Sequence, residues 1–265
     1  MTPSRHRSTQ RLAAAALALT LTLVALPVYG QQPSSAVPAG CSVGNAAPGT
    51  RVLVFSRTTG FRHASIPDGI AAIRTLGAAR GFVVEATEDP TQFRDDNLKR
   101  FNAVVFMSTT GDVLDSTQQA AFERYIRDGG GYVGVHSATD TEYDWPWYGQ
   151  LVGAYFKRHP QIQDARVDVR DRSFIATKCL PAVWNRRDEW YDFRAAPPAD
   201  ATILLTLDEK SYQGGTMGDF HPLSWYHRYD GGRAFYTELG HTSESYADPL
   251  YLEHLLGGIL WASTR

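Results

Sequence analysis

Between Gly129 and Asp144 the chain reads GGGYVGVHSATDTEYD. A glycine turn leads into an apolar run, Tyr132 to Val135, which stops abruptly at His136, Ser137, Asp140, Thr141 and Glu142. Such a run suits a buried strand. In an α/β protein, ligands bind beyond the carboxyl ends of such strands. Imidazole and carboxylate groups there are equipped for proton transfer near neutral pH. His136 reads as an acid/base group or a ligand, with a core histidine bonded to a carbonyl as the alternative. Asp140 and Glu142 offer a base and an acid, although Asp140-Thr141 also fits an Asx turn. Ser137 makes a poor nucleophile, because His136 is too close in sequence to serve easily as its base.

Other strand-like runs end in similar chemistry. Arg62 and His63 follow Arg51–Ser56, Thr110 follows Asn102–Met107, and His241 follows Arg233–Leu239. The expected catalytic set is His136, Asp140, Glu142 and His241, with Arg62, His63 and Thr110 holding substrate. His63 and His241 could each cap a helix instead.

Aromatic side chains cluster at Tyr143–Tyr148, Trp190–Phe193 and Trp225–Tyr229. Core packing is their default role. Aromatic faces beside carboxylates also suit sugar rings, which stack through C–H contacts. Trp145, Glu189, Trp190 and His227 are therefore expected to bind substrate, and a small carbohydrate is favoured over a nucleotide. Neither a phosphate-cradling Gly-x-x-x-x-Gly-Lys loop nor a dinucleotide fingerprint is present; Gly129–Gly131 precedes a strand. The chain has eight histidines. Without His-Glu-x-x-His or Cys-x-x-Cys spacing, a dedicated structural zinc site is not expected. No cofactor is expected, while a divalent metal held by residues distant in sequence stays open.

Positioning these groups falls to an alternation of elements. Strands are expected at Arg51–Ser56, Phe82–Glu85, Asn102–Met107 and Tyr132–Val135. Helices are expected to start at Ser65, with Pro67 and Asp68 in the first turn, and at Ser116 with Gln119. The second helix should turn Ala120, Phe122, Tyr125 and Ile126 inward. This βαβ rhythm implies an α/β fold: a doubly wound, mostly parallel sheet with helices on both faces. After Tyr148 the rhythm gives way to strands at Ala165–Val169 and Thr202–Leu207, separated by aromatic loops. A C-terminal β-hairpin turns at Asp230-Gly231-Gly232, and a helix spans Pro249–Ala262.

Residues 1–30 read as a signal peptide: Arg5, Arg7 and Arg11 precede the uncharged run Leu12–Leu26, with cleavage expected near Gly30. The protein is then exported, to the periplasm or the exterior, with no membrane attachment after cleavage. Residues 31–50 read as a flexible leader rich in Pro, Ala, Ser and Gly. Residues 51–263 are long enough for one domain. The formal charge is −2 and becomes more negative once the N-terminal arginines are removed. This argues against nucleic-acid and anionic-membrane partners. Cys41 and Cys179, the two cysteines, could pair and tie the leader to the domain; sequence does not fix their separation. Neither lies in a motif that would activate a thiol.

Four segments resemble the ThuA-like (trehalose utilisation) family: GFRHASI (Gly60–Ile66), Gly129–Pro160, DEWYDF (Asp188–Phe193) and His221–Ala262. The resemblance covers nearly all of Arg51–Ser263. It implies a flavodoxin-like fold similar to class I glutamine amidotransferases. Where those enzymes carry a Gly-x-Cys-x-Gly elbow, this chain has Gly134-Val135-His136-Ser137-Ala138, so glutaminase chemistry is not expected. The resemblance further implies carbohydrate catabolism beside a sugar oxidoreductase that makes 3-keto sugars. The expectation is acid/base chemistry on a keto-disaccharide or glycoside, by a lyase, hydrolase or isomerase. A non-catalytic sugar-binding module and a metal-dependent hydrolase are the alternatives.

Overall fold

The computed structural model describes residues 1–2 and 36–264. The signal-peptide reading therefore lies, but for its first two residues, outside the described residues. The order is β1 (Arg51–Phe55), α1 (Ile66–Arg80), β2 (Val83–Thr87), α2 (Asp95–Leu98), β3 (Ala103–Met107), α3 (Ser116–Arg127), β4 (Gly131–Val135) and α4 (Pro146–Val152). Then come β5 (Phe156–Arg158), β6 (Gln163–Val169), β7 (Val183–Asp188), β8 (Asp192–Phe193), β9 (Thr202–Leu207), β10 (Pro222–Tyr229), β11 (Gly232–Thr237) and α5 (Pro249–Ala262).

The main sheet has nine strands, in the order β2-β1-β3-β4-β11-β10-β9-β6-β7. The first five run parallel, which is the flavodoxin-like order. From β11 outward every pairing is antiparallel. β11 enters the parallel half because the hairpin turn, with Asp230 and Gly231 both at positive φ, sends it back beside β4.

The parallel strands are apolar on both faces because helices cover both. Val52, Val54, Val105 and Val133 face one core with Ile73 of α1 and Leu255, Leu256 and Ile259 of α5. Leu53, Phe55, Phe106 and Tyr132 face the other, with Phe122 and Ile126 of α3 and Tyr148 of α4. The glycine run before β4 is sterically required. Gly129 sits at φ 85°, and a Cβ on Gly131 would strike the Ala262 carbonyl of α5.

Several expected details differ. Ser65 does not cap α1 with its side chain; its hydroxyl donates to the Gly240 carbonyl, 3.2 Å away. The start of α3 is capped one residue early, by a box of Asp115 and Gln118, and Ala121 rather than Ala120 is buried. The aromatic stretch after Val169 holds a further strand, β7, whose buried positions are Trp184, Arg186 and Asp188. Two inward charges erase the apolar alternation by which a strand is recognised.

The leader is held to the domain. Cys41 and Cys179 form a disulfide across 138 residues of sequence. Val43 is buried in the core, and its N–H donates to Glu253 at 2.9 Å. Exchanging both cysteines for serine is expected to lower stability by about 2–5 kcal/mol, because the unfolded chain regains the freedom of a long loop. A denaturant melt of wild type against the double variant measures it; coincident curves would refute it.

Candidate functional site

Four separate loops meet at one point beyond the carboxyl ends of β1, β4 and β11. His63 comes from the β1–α1 loop. Thr110 fixes that loop, its Oγ1 donating to the Phe61 carbonyl at 2.8 Å. His136 opens the 3-10 turn after β4 at φ 51°. A non-glycine residue at positive φ is uncommon and costs on the order of 1–2 kcal/mol. Here that backbone turns the imidazole away from the strand and onto the sheet edge. His241 follows β11. Glu189 and Tyr191 come from the segment between β7 and β8.

The side chains are within hydrogen-bonding range of one another. His136 Nε2 lies 3.1 Å from His63 Nε2, 3.1 Å from His241 Nδ1, 3.0 Å from the Tyr191 hydroxyl and 3.4 Å from Glu189 Oε2. His241 Nδ1 is 3.0 Å from Glu189 Oε2. The other Glu189 oxygen meets His159 Nδ1 at 3.1 Å. His136 Nδ1 lies 2.8 Å from the Glu238 carbonyl. A carbonyl only accepts, so Nδ1 carries a proton and donates it there, and Nε2 faces the cluster.

Asp188 links the two sides of this arrangement. Its buried carboxylate accepts from the backbone N–H groups of Glu189, Gly240 and His241 at 3.1, 3.1 and 3.2 Å. It also pairs with Arg186, itself nearly buried, at 3.1 Å. The Tyr191 backbone is held by Glu238 Oε1, which accepts its N–H at 3.0 Å, and by His221 Nε2, which donates to its carbonyl at 2.8 Å.

Burial, reinforced by His136 and His241, drives the His63 pKa down to about 2. For His241 burial works downward, but the hydrogen bond and charge of Glu189 outweigh it and raise the pKa. Burial alone would raise Glu189; its bonds to His136 and His241 reverse that and pull it well below the usual carboxylate range. Burial raises Asp140, partly offset by the hydrogen bond from Tyr143, 2.6 Å away, and by the charges of Arg194, His136 and His159. Burial, then the Asp188 charge, push the Glu238 carboxyl well above the usual carboxylate range. The centre thus combines a neutral imidazole, a carboxylate and an imidazole inclined to keep its proton. Asp140, made more basic than an ordinary carboxylate, lies within electrostatic reach of His136 and His159.

Of the expected residues, His63, His136, His241 and Glu189 converge, with Asp140 alongside. Others do not. Glu142 is turned back by a φ of 55°, and its carboxylate accepts from the N–H groups of Val113 and Leu114 and from Gln119. Arg62 pairs with Glu88 on the surface. Trp145 stacks on Trp147 and Tyr148 in the core, and Trp190 is fully buried, donating to the Gln163 carbonyl. His227 is a buried structural histidine donating to the Leu151 carbonyl. Thr110 supports His63 through the loop instead of facing the cluster. The exposed aromatic beside the centre is Phe61, whose ring meets His63 edge-on at 4.9 Å. Tyr191 and His159 were not expected, and Asp188, read with Glu189 as a sugar-binding carboxylate, instead holds the backbone of Glu189 and His241. Two-residue alternation in Glu189-Trp190-Tyr191 would have paired Glu189 with Tyr191 and sent Trp190 to the core.

Among the described residues, two groups of donor atoms are close enough to share an ion: His63, His136, Glu189 and His241, and Asp192, Glu209 and His221. In the second group the carboxylates are already engaged, by Thr216, Met217, Gly218 and His221.

Outside the site, His254 is fully buried, with Nδ1 bonded to the Ala176 carbonyl at 2.9 Å, and burial lowers its pKa from 6.5 to about 4. As pH falls, the unfolded chain takes up this proton before the folded one. The contribution to stability is therefore full above the unfolded pKa of about 6.5 and is lost progressively toward pH 4. His254→Gln is expected to flatten that part of the stability–pH curve, read from denaturant midpoints. An unchanged slope would refute it.

A family model described as ThuA, trehalose utilisation, matches residues 51–262. Two solved structures described as ThuA-like proteins share the fold. The one from Bacteroides uniformis has a TM-score of 0.69 at 24% identity, covering 82% of this chain and 92% of its own. The one from Parabacteroides merdae has a TM-score of 0.67 at 22% identity, covering 82% and 91%. A cytoplasmic protein from Salmonella typhimurium is similar at a TM-score of 0.56 and 10% identity, covering 80% and 98%. No curated protein matches the chain.

Proposed function

Because the chain belongs to the ThuA (trehalose utilisation) family, with the role in carbohydrate metabolism this implies, we propose that it converts a keto-disaccharide or keto-glycoside by acid/base chemistry at the histidine–glutamate centre. The observation that carries this reading is the meeting of His63, His136, His241 and Glu189, from four loops, within 4.8 Å of one another. A carbonyl at C3 of a sugar acidifies the C–H at C2. Asp140, with its raised pKa, takes that proton. The electron pair moves toward the carbonyl oxygen, which is stabilised by the proton that Glu189 keeps on His241. Collapse of the enolate breaks the C1–O bond, and the departing oxygen takes the proton that Asp140 removed from C2. Phe61 offers a face to the sugar ring.

The substrate implies an earlier oxidation of an ordinary glycoside by a sugar oxidoreductase, the partner activity of this step. Export, with cleavage near Gly30, is part of the proposal. The arginine-then-apolar N-terminus supports it, and so does the Cys41–Cys179 disulfide, since such bonds persist in oxidising compartments.

Incubating the protein in D2O with a panel of glycosides and their 3-keto derivatives tests the reading by NMR. Deuterium uptake beside the carbonyl and cleavage are expected for keto substrates only. Tight binding with neither outcome would instead establish a non-catalytic sugar-binding module.

A further inference from the structure

The geometry points to a divalent first-row transition-metal ion, of the zinc class, held by His63 Nε2, His136 Nε2, His241 Nδ1 and Glu189 Oε2. The argument starts from crowding. With Nδ1–H committed to the Glu238 carbonyl, His136 Nε2 has one in-plane bonding direction, yet four polar atoms stand 3.0–3.4 Å from it. One ring nitrogen, whether N–H or lone pair, cannot bond well in several directions at once. Four donor atoms facing a common centre are instead the arrangement that a cation creates.

The distances fit this. Ligand atoms 2.0–2.1 Å from a tetrahedral zinc ion lie about 3.3 Å from one another. Four of the pairs measure 3.1, 3.1, 3.4 and 3.0 Å, and all four donor atoms lie within 4.8 Å of each other. Imidazole nitrogen with one carboxylate oxygen is a donor set suited to such ions. Surrounding groups orient the ligands as a metal site requires: the Glu238 carbonyl fixes the His136 tautomer, Ser137 Oγ lies 3.3 Å from His63 Nδ1, and His159 holds the second Glu189 oxygen. The spacing of ligands along the chain, from residue 63 to residue 241, matches no local metal motif.

The use of the ion rests on the function proposed above; its binding does not. In that chemistry the ion would take the place of the His241 proton as the electrophile facing the carbonyl oxygen, with Asp140 still the base.

The test uses the untagged full chain, stripped by chelator and titrated with Zn2+ against a chromogenic chelator, with metal content measured by mass spectrometry. Close to one zinc per chain is expected, together with a rise in Tm. Co2+ should give the intense visible absorption of a low-coordinate centre. His241→Ala and Glu189→Gln are expected to weaken binding about a hundredfold or more, the scale at which even groups one step removed from a metal act. His227→Gln, outside the cluster, should bind like wild type. Failure of the wild type to take up stoichiometric zinc overturns the inference, as does equal affinity in both cluster variants. Stoichiometric zinc without turnover of any keto-glycoside would uphold the metal centre and defeat the proposed function; full turnover in metal-free protein would uphold that function and overturn the ion's part in it.

Discussion

His136→Asn is expected to cut turnover of a keto-glycoside by about 10²–10⁴-fold, the range typical for loss of a group engaged in proton transfer or electrophilic assistance. Asparagine is the informative replacement because it tolerates the left-handed backbone that His136 adopts at φ 51°. It removes the nitrogen on which His63, His241 and Tyr191 converge. The Glu238 carbonyl loses its imidazole donor, at a cost of about 1–3 kcal/mol if no other group replaces it. Initial rates, with circular dichroism and melting curves as the control, measure the outcome. Wild-type rates in a folded variant would remove His136 from the mechanism.

The largest stability effect is expected at Asp188. Asp188→Ala strips the carboxylate from beneath three backbone N–H groups and leaves Arg186 buried, with Asp248, at 3.5 Å, as its one remaining ion-pair partner among the described residues. Losing one member of a buried pair typically costs about 3–5 kcal/mol. The same change releases the backbone of both Glu189 and His241, so activity should fall with stability. Asp188→Asn keeps an acceptor oxygen and should recover part of both. Denaturation midpoints and rates for the two variants decide this; an alanine variant as stable as wild type would show that Arg186 is satisfied elsewhere.

Much of this was legible in the sequence where one physical signal dominated. The strands flanking the centre read as unbroken apolar runs because both faces are covered, and the Asp230-Gly231 turn announced the hairpin. His63, His136 and His241 were legible as strand-end residues, since the parallel topology brings strand ends together. Glu142 was misread because its side-chain direction depends on a positive φ that sequence does not display at a glutamate. Trp190 was preferred to Tyr191 because residue type was weighed above alternation. β7 escaped because Arg186 and Asp188 point inward. Its charges look like surface chemistry until Ser245, the 240–241 loop and Asp248 are in place around them.

The position of β11 beside β4 has a consequence for how the protein comes into being. His63 and His136 are synthesised well before His241, and the strand that carries His241 to them is the last of the main sheet to be made. A nascent chain emerging without β11 has His63 and His136 but lacks His241. The centre is complete only when the hairpin pairs with β4. Activity should thus vanish in the same transition that melts the sheet, and no internally truncated fragment lacking that hairpin should retain a trace of it.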